Sequence, residues 1–100
     1  MRIVARNTLV ACWTRHPETR DTLTHWFNIA KAARWTSMAE MRASFPKAKV
    51  LNAERARFEI HGGDYRLIAA FDFQRQAIFV KFIGTHTEYD RIDALTVSLF

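Results

Sequence analysis

The chain is poor in the residues that interrupt or cross-link a fold. Its 100 residues include one cysteine, two prolines and three glycines. Cys12 alone excludes an internal disulfide and implies a reducing compartment, so the cytoplasm is the expected location. No apolar run approaches the roughly 20 residues of a membrane span, and no membrane association is expected. The opening MRIVARNTLV lacks the apolar segment and cleavage site of a signal peptide. No Cys/His cluster has zinc spacing and no glycine-rich phosphate loop is present, so neither a metal nor a cofactor is expected. Nothing repeats and nothing is low in complexity. With 49% hydrophobic residues the chain is no disordered tail, and its length makes one domain over 1–100 the default.

What is present is a moderate excess of positive charge. Fifteen Lys and Arg stand against ten Asp and Glu, for a formal charge of +5. Residues 42–57 hold Arg42, Lys47, Lys49, Arg55 and Arg57 against Glu54 alone, whereas the stretch from Glu88 onward is acidic. A local positive field of this kind favours an acidic partner such as nucleic acid.

The hydrophobic period changes along the chain. Met1–Ala5 reads as a short strand. Leu9, Cys12, Trp13 and His16 then follow helical spacing, and Pro17 ends that helix or opens the next. Leu23, Trp26, Phe27 and Ala30 predict a second helix of roughly 15 residues. Ser37 and Glu40 form a capping box for a short third helix with Met38, Met41 and Phe45 as its stripe, stopped by Pro46. Strands are predicted near 49–51, 55–61, 64–73 and 76–84. Helices followed by a meander of strands argue for an α+β fold, N-terminal helices packed on one face of a twisted antiparallel sheet.

Hairpins at Gly62-Gly63 and Gln74-Arg75 would fix the register. Two-residue loops pair His61 with Asp64, Glu59 with Arg66, Phe73 with Gln76 and Ile68 with Lys81. Paired residues share a face and faces alternate with period two. One face then carries Phe58, Ile60, Tyr65, Leu67, Ala69, Phe71, Ile78, Val80 and Phe82, and is the expected core. The other carries Arg55, Arg57, Glu59, His61, Asp64, Arg66 and Lys81. The residues alone leave open whether this second face is a solvated sheet with cross-strand ion pairs or a cradle for a polyanion.

The stretch KFIGTHTEYD, residues 81–90, turns this into a chemical question. Thr85 and Glu88 form a second capping box, which makes Thr85 a helix N-cap. His86, Tyr89 and Asp90 then stand on one side of a helix start. Lys81 and Arg66 lie on the strands leading to this corner. Transesterification of RNA needs an acid or base near neutrality and positive charge on the phosphorane, and His with Arg and Lys supply both. A tyrosine could stack on a splayed base. Cys12 lies on the apolar stripe of a helix and is a poor candidate nucleophile.

Several motifs together resemble the HigB toxins of type II toxin–antitoxin modules, within the RelE-like superfamily. They are MRIVARNTL, ACWTRHP at 11–17, TSMAEMRASFPKAKVL at 36–51, FEIHGGDYRLIAAFDF at 58–73 and IFVKFIGTHTEYDRID at 78–93. The resemblance covers nearly the whole chain. It implies the RelE-like toxin fold, ribosome-dependent endoribonuclease activity on translated mRNA, and neutralisation by a HigA-like helix-turn-helix antitoxin. Carried over residue by residue, it implies a catalytic set of Arg66, Lys81, His86, Tyr89 and Asp90. RNA, including ribosomal RNA, would be contacted through Lys47, Lys49, Arg55, Arg57 and His61. His61 and Asp64 depart from the family, which often has Asn at both positions. The departure leaves His61 and His86 competing as proton carrier, with His86 favoured by its helix N-terminus. The alternatives are a ParE-like gyrase-targeting toxin, which shares the fold without needing acid–base residues, and a non-catalytic RNA-binding module.

Overall fold

The computed structural model describes residues 1–99. Strand β1 (Arg2–Val4) leads into α1 (Arg6–Arg15). Pro17 opens a single 3-10 turn, Pro17–Thr19, that runs into α2 (Arg20–Ala32). Proline suits this place because a first-turn residue has no intrahelical use for an N–H. Thr19 is fully buried here, and its hydroxyl donates to His16 O at 2.8 Å. Helix α3 (Met38–Ser44) starts at Ser37, whose Oγ accepts from Glu40 N at 3.2 Å. Only half of the predicted box forms, because the Glu40 carboxylate reaches past the cap to Thr36 N and Oγ1. Then come β2 (Lys49–Val50), β3 (Arg55–Ile60), β4 (Tyr65–Asp72), β5 (Ala77–Thr85) and the one-turn α4 (His86–Tyr89).

The strand order is β1-β5-β4-β3-β2. Strands β2 to β5 form the expected antiparallel meander, but β1 pairs with β5 in parallel, Ile3 opposite Ile78. The sheet is therefore mixed rather than antiparallel throughout. Leu9 and Cys12 of α1 and Leu23, Trp26 and Ala30 of α2 are buried in one core with the sheet residues. Phe58 is the hub of that core, edge-on to Trp26 at 5.4 Å and to Phe45 at 5.2 Å. Trp35 bridges Phe45 and Phe71. Edge-to-face contacts of this kind add to the area that each ring buries. Among the described residues, no helix is long and apolar enough to cross a membrane.

Both hairpins keep the predicted register near the turn but use longer loops. The first ladder closes at Ile60–Tyr65, so His61 and Asp64 belong to the turn and are not a strand pair. His61, Gly62 and Gly63 all have positive φ, 54°, 66° and 97°, which two adjacent glycines make feasible. The second ladder closes at Asp72–Ala77, so Phe73 and Gln76 likewise fall in the turn.

A bulge then changes which residues face the core. Ala69 pairs with Val80, but Ile68 pairs with Phe82 and not with Lys81. One extra residue in β5 is inserted at Lys81, and beyond it the faces exchange. Ile83 turns toward the helices, where it packs on the core. Phe82, expected in that core, lies on the second face with its ring 6.2 Å from Tyr89. The bulged Lys81 remains on the second face, its Nζ 5.5 Å from the Phe79 ring centroid.

The second face is not the solvated surface expected. Ile68 and Phe82 are 0% and 2% exposed, and Arg66 is 9% exposed. Helix α4 and the segment after it fold back across this face. Leu99 N donates to Lys81 O at 3.0 Å, and Arg55 Nη1 donates to Ala94 O and Val97 O at 3.2 and 2.7 Å. The physical reason is readable in β4: Ile68 and Ala70 alternate with the core residues, so the slots expected to be polar are apolar and require cover.

Candidate functional site

The corner where β5 meets α4 is built from local rules. Thr85 Oγ1 accepts from Glu88 N at 3.1 Å, and Thr85 N donates to Glu88 Oε1 at 2.8 Å, which completes the capping box. The two hydrogen bonds aim the Glu88 carboxylate at the Thr85 backbone N–H, which holds its pKa below the ordinary carboxylate value. Gly84 is required for packing: a Cβ there would lie 2.8 Å from the Phe82 ring. His86 N donates to Asp64 O at 2.9 Å and ties the start of α4 to the β3–β4 turn.

Two histidine–aspartate pairs flank this tie. His86 Nδ1 lies 3.1 Å from Asp90 Oδ2, both side chains more than half exposed. His61 Nδ1 lies 3.1 Å from Asp64 Oδ2, also at the surface. In each pair a carboxylate engages one ring nitrogen and fixes the ring, leaving Nε2 without an assigned partner. One pair is mounted on a capped helix start and the other on a turn with three positive-φ residues.

Tyr89 points the other way along the second face. Its ring packs on Phe82, the Arg57 guanidinium lies over it at 5.5 Å, and Arg57 Nη1 donates to the phenol oxygen at 3.4 Å. Arg57 Nε is buried with no partner among the described residues. Lys49 pairs with Arg57 across β2 and β3 and so shares its face. Lys47, by contrast, lines a groove on the helical side with His25 and Trp26.

Arg66 is committed to the turn. Its Nη1 donates to Gly63 O and reaches Tyr65 O, its Nη2 is 3.8 Å from Glu59 Oε1, and its side chain is largely buried. Gly63 makes room for it, since a Cβ there would stand 3.3 Å from Nη1. Arg55 is spent on the tail carbonyls, as above. Lys81 opens onto a shallow basin at the far end of β5 with Glu54, Asp72 and Phe79. The sequence-predicted residues thus form one corner (His61, His86 and Asp90), one stacked unit (Arg57 and Tyr89 with Lys49 beside it), one clamp (Arg66) and one remote pair (Arg55 and Lys81).

One contact at this corner has no signal in the sequence. Tyr65 OH donates to the Glu18 carboxylate, 47 positions away. The bond pushes the Tyr65 phenol up to about 12 and holds Glu18 below its ordinary value. The Tyr65 ring lies 5.2 Å from His16 and 6.5 Å from His61. Burial pushes the Cys12 thiol up, which disfavours the thiolate a nucleophile needs. Among the described residues, no group of three or more His, Cys, Asp or Glu could hold a metal ion.

The family described as HigB_toxin, the RelE-like toxic component of a toxin-antitoxin system, matches residues 19–92. The chain belongs to the HigB toxin family. The match takes in α2 through α4, with His61, His86 and Asp90, and ends two residues past Asp90. A curated relative, mRNA interferase HigB of Escherichia coli O6:H1 (strain CFT073), is 26% identical over 92% of this chain and 91% of its own length. A HigB toxin acts opposite an antitoxin, as the family description states.

Proposed function

We propose that this HigB toxin is a cytoplasmic endoribonuclease that cuts mRNA on the ribosome and is neutralised by a HigA-like helix-turn-helix antitoxin. The observation that carries the reading is the His86–Asp90 pair, 3.1 Å apart on a capped and exposed helix start. The E. coli relative, an mRNA interferase, supports the same substrate class. In the reaction, the ribose 2′-oxygen loses its proton and bonds to the adjacent phosphorus. The bond from phosphorus to the 5′-oxygen breaks, and that oxygen takes up a proton. The products are a 2′,3′-cyclic phosphate and a 5′-hydroxyl. His86, oriented by Asp90, moves one of these protons through Nε2. Arg57, stacked on Tyr89, offers positive charge to the phosphorane, while Lys81, in its basin at the far end of β5, contacts the RNA backbone away from the cut. Arg66 acts by holding the turn that carries Asp64 and hence the start of α4.

Induced expression with primer extension on cellular mRNA tests this. Discrete cuts in translated frames are expected, and they should disappear with His86→Ala and when the 2′-hydroxyl at the cut site is removed in a reconstituted ribosome complex. Intact mRNA with damaged DNA would instead establish a gyrase poison. Salt-sensitive RNA binding without cleavage would establish a binding module.

A further inference from the structure

The helical turn that carries His86 has a second chemical side. His86 and Glu88 are two residues apart on α4, and side chains so spaced do not face each other. His86 and Asp90 form their pair in solvent, more than half exposed. Glu88 instead borders a pocket between α4, the end of β5 and the end of α1, with a volume of about 150 Å³. Ordinary ligand sites start near about 300 Å³, so this pocket suits a single ring system and not a whole nucleotide.

The pocket is lined by Cys12, Arg15 and His16 at the end of α1, by Ile83 and Gly84 of β5, and by Glu88. Ile83 and the Cys12 thiol, which burial keeps protonated, supply apolar surface. The His16 ring is held beside the Tyr65 ring at 5.2 Å. Two polar groups have capacity left over. Glu88 Oε1 accepts from Thr85 N, but Oε2 has no hydrogen-bond partner among the described residues. Arg15 is exposed, and among the described residues it has no acidic partner in an ion pair. After the Thr85 N–H, the charges of His16 and Arg15 also lower the Glu88 pKa, so the anion and the cation stand within electrostatic reach of each other.

We propose that this pocket takes the guanine base of a nucleotide next to the cut, with the Glu88 carboxylate accepting from guanine N1–H and N2–H and the Arg15 guanidinium donating to O6 and N7. Guanine as the ligand rests on the RNA-cleaving reading. It is the base with two adjacent donors on one edge and two adjacent acceptors beside them, which match a carboxylate and an arginine fork. Adenine, cytosine and uracil each set an acceptor beside their donor, and a carboxylate repels that acceptor. Single-stranded RNA presents such edges once a base is splayed out of its stack. The pocket and the His86 ring lie on different sides of one helical turn, roughly 10 Å across. The base in the pocket therefore belongs to a neighbour of the cut nucleotide, and α4 ties base choice to the reacting phosphate.

Binding is measured first, by NMR titration of the His86→Ala toxin with each of the four ribonucleoside 5′-monophosphates. The guanine nucleotide should bind about 5- to 150-fold more tightly than the others, with amide shifts centred on Arg15, Gly84 and Glu88. Inosine 5′-monophosphate, which lacks the N2 amine, should bind more weakly than the guanine nucleotide. Glu88→Gln retains an N3 acceptor and hence the cap, and it should abolish both preferences. Arg15→Gln, at an exposed position, should also weaken guanine binding and serves if Glu88→Gln does not fold. Equal binding of the four nucleotides, shifts centred elsewhere, or a preference that survives both variants would overturn the proposal. Cleavage is measured second, on ribosome-bound mRNAs with each base in turn on either side of the cut. Guanine at one of these positions should raise kcat/KM by a similar factor in the otherwise unaltered toxin and not in Glu88→Gln. Cuts made without any guanine preference would overturn this proposal alone. Absence of cuts with every base would overturn the cleavage reading, and the titration would still decide the pocket.

Discussion

The two faces of the sheet bury their apolar residues by different means. On the helical face, three helices and a network of edge-to-face rings close a deep core around Phe58. On the second face, Ile68 and Phe82 are equally buried, but under one helical turn and an irregular tail in which Leu95 and Leu99 remain mostly exposed. The first face invests in stability. The second leaves its cover thin enough to expose a histidine and an aspartate, beside a half-buried tyrosine, at the edge of the cover. A fold of this size has little apolar area to spare, and concentrating the core on one side frees the other for chemistry.

That contrast can be broken by substitution. The largest effect is expected from His86→Ala, which should slow mRNA cleavage by about 10²- to 10⁴-fold while the urea midpoint hardly moves, since the side chain is exposed. A matching loss of stability would show that the second face is structural after all. Phe58→Ala should have the opposite profile, lowering stability by about 3–5 kcal/mol in urea unfolding. Phe82→Ala sharpens the comparison: it should cost stability by less than Phe58→Ala does, because the neighbouring tail can settle into the space, yet reduce cleavage by releasing Tyr89 and Arg57.

A smaller, pH-dependent effect follows from the Tyr65–Glu18 bond. The Tyr65 phenol titrates near 12 when folded against an ordinary 10, so its contribution is complete below pH 10 and is lost as pH rises toward 12. Glu18 and Glu88 are depressed, so theirs is present above pH 4.5 and lost as pH falls through the folded values. Unfolding midpoints across pH should show both limbs, and Tyr65→Phe should flatten the alkaline one. An unaltered alkaline limb would remove the clamp from the account. The smallest effect is expected from Thr85→Ala, about 0.5–2 kcal/mol from loss of the cap, with faster amide exchange confined to α4.

Much of this molecule is legible in its residues. Helical spacing found α1, α2 and α3, and Pro17 and Pro46 marked their ends, because caps and breakers act within a few residues of themselves. The box of Thr85 and Glu88 is local in the same sense and formed in full. Pairings such as Glu59 opposite Arg66 followed from one turn and the period of two. The bulge at Lys81 did not, since an extra residue is accepted only when packing on both faces rewards the exchange of Phe82 and Ile83. Parallel docking of β1 on β5 was equally hidden, for it joins segments more than 70 positions apart.

The sequence by itself determined the elements, the two sides of the sheet as far as Lys81 and the presence of His86, Tyr89 and Asp90 on one helical turn. These depend on interactions a few residues long, which the chain carries wherever it goes. Only the tertiary structure decided that Arg66 clamps a turn, that Arg55 holds the tail, that Arg57 lies on Tyr89 and that Glu18 reaches Tyr65. A guanidinium or a phenol takes the partner that folding brings within a few ångströms, and that neighbour is set by the packing of the whole chain.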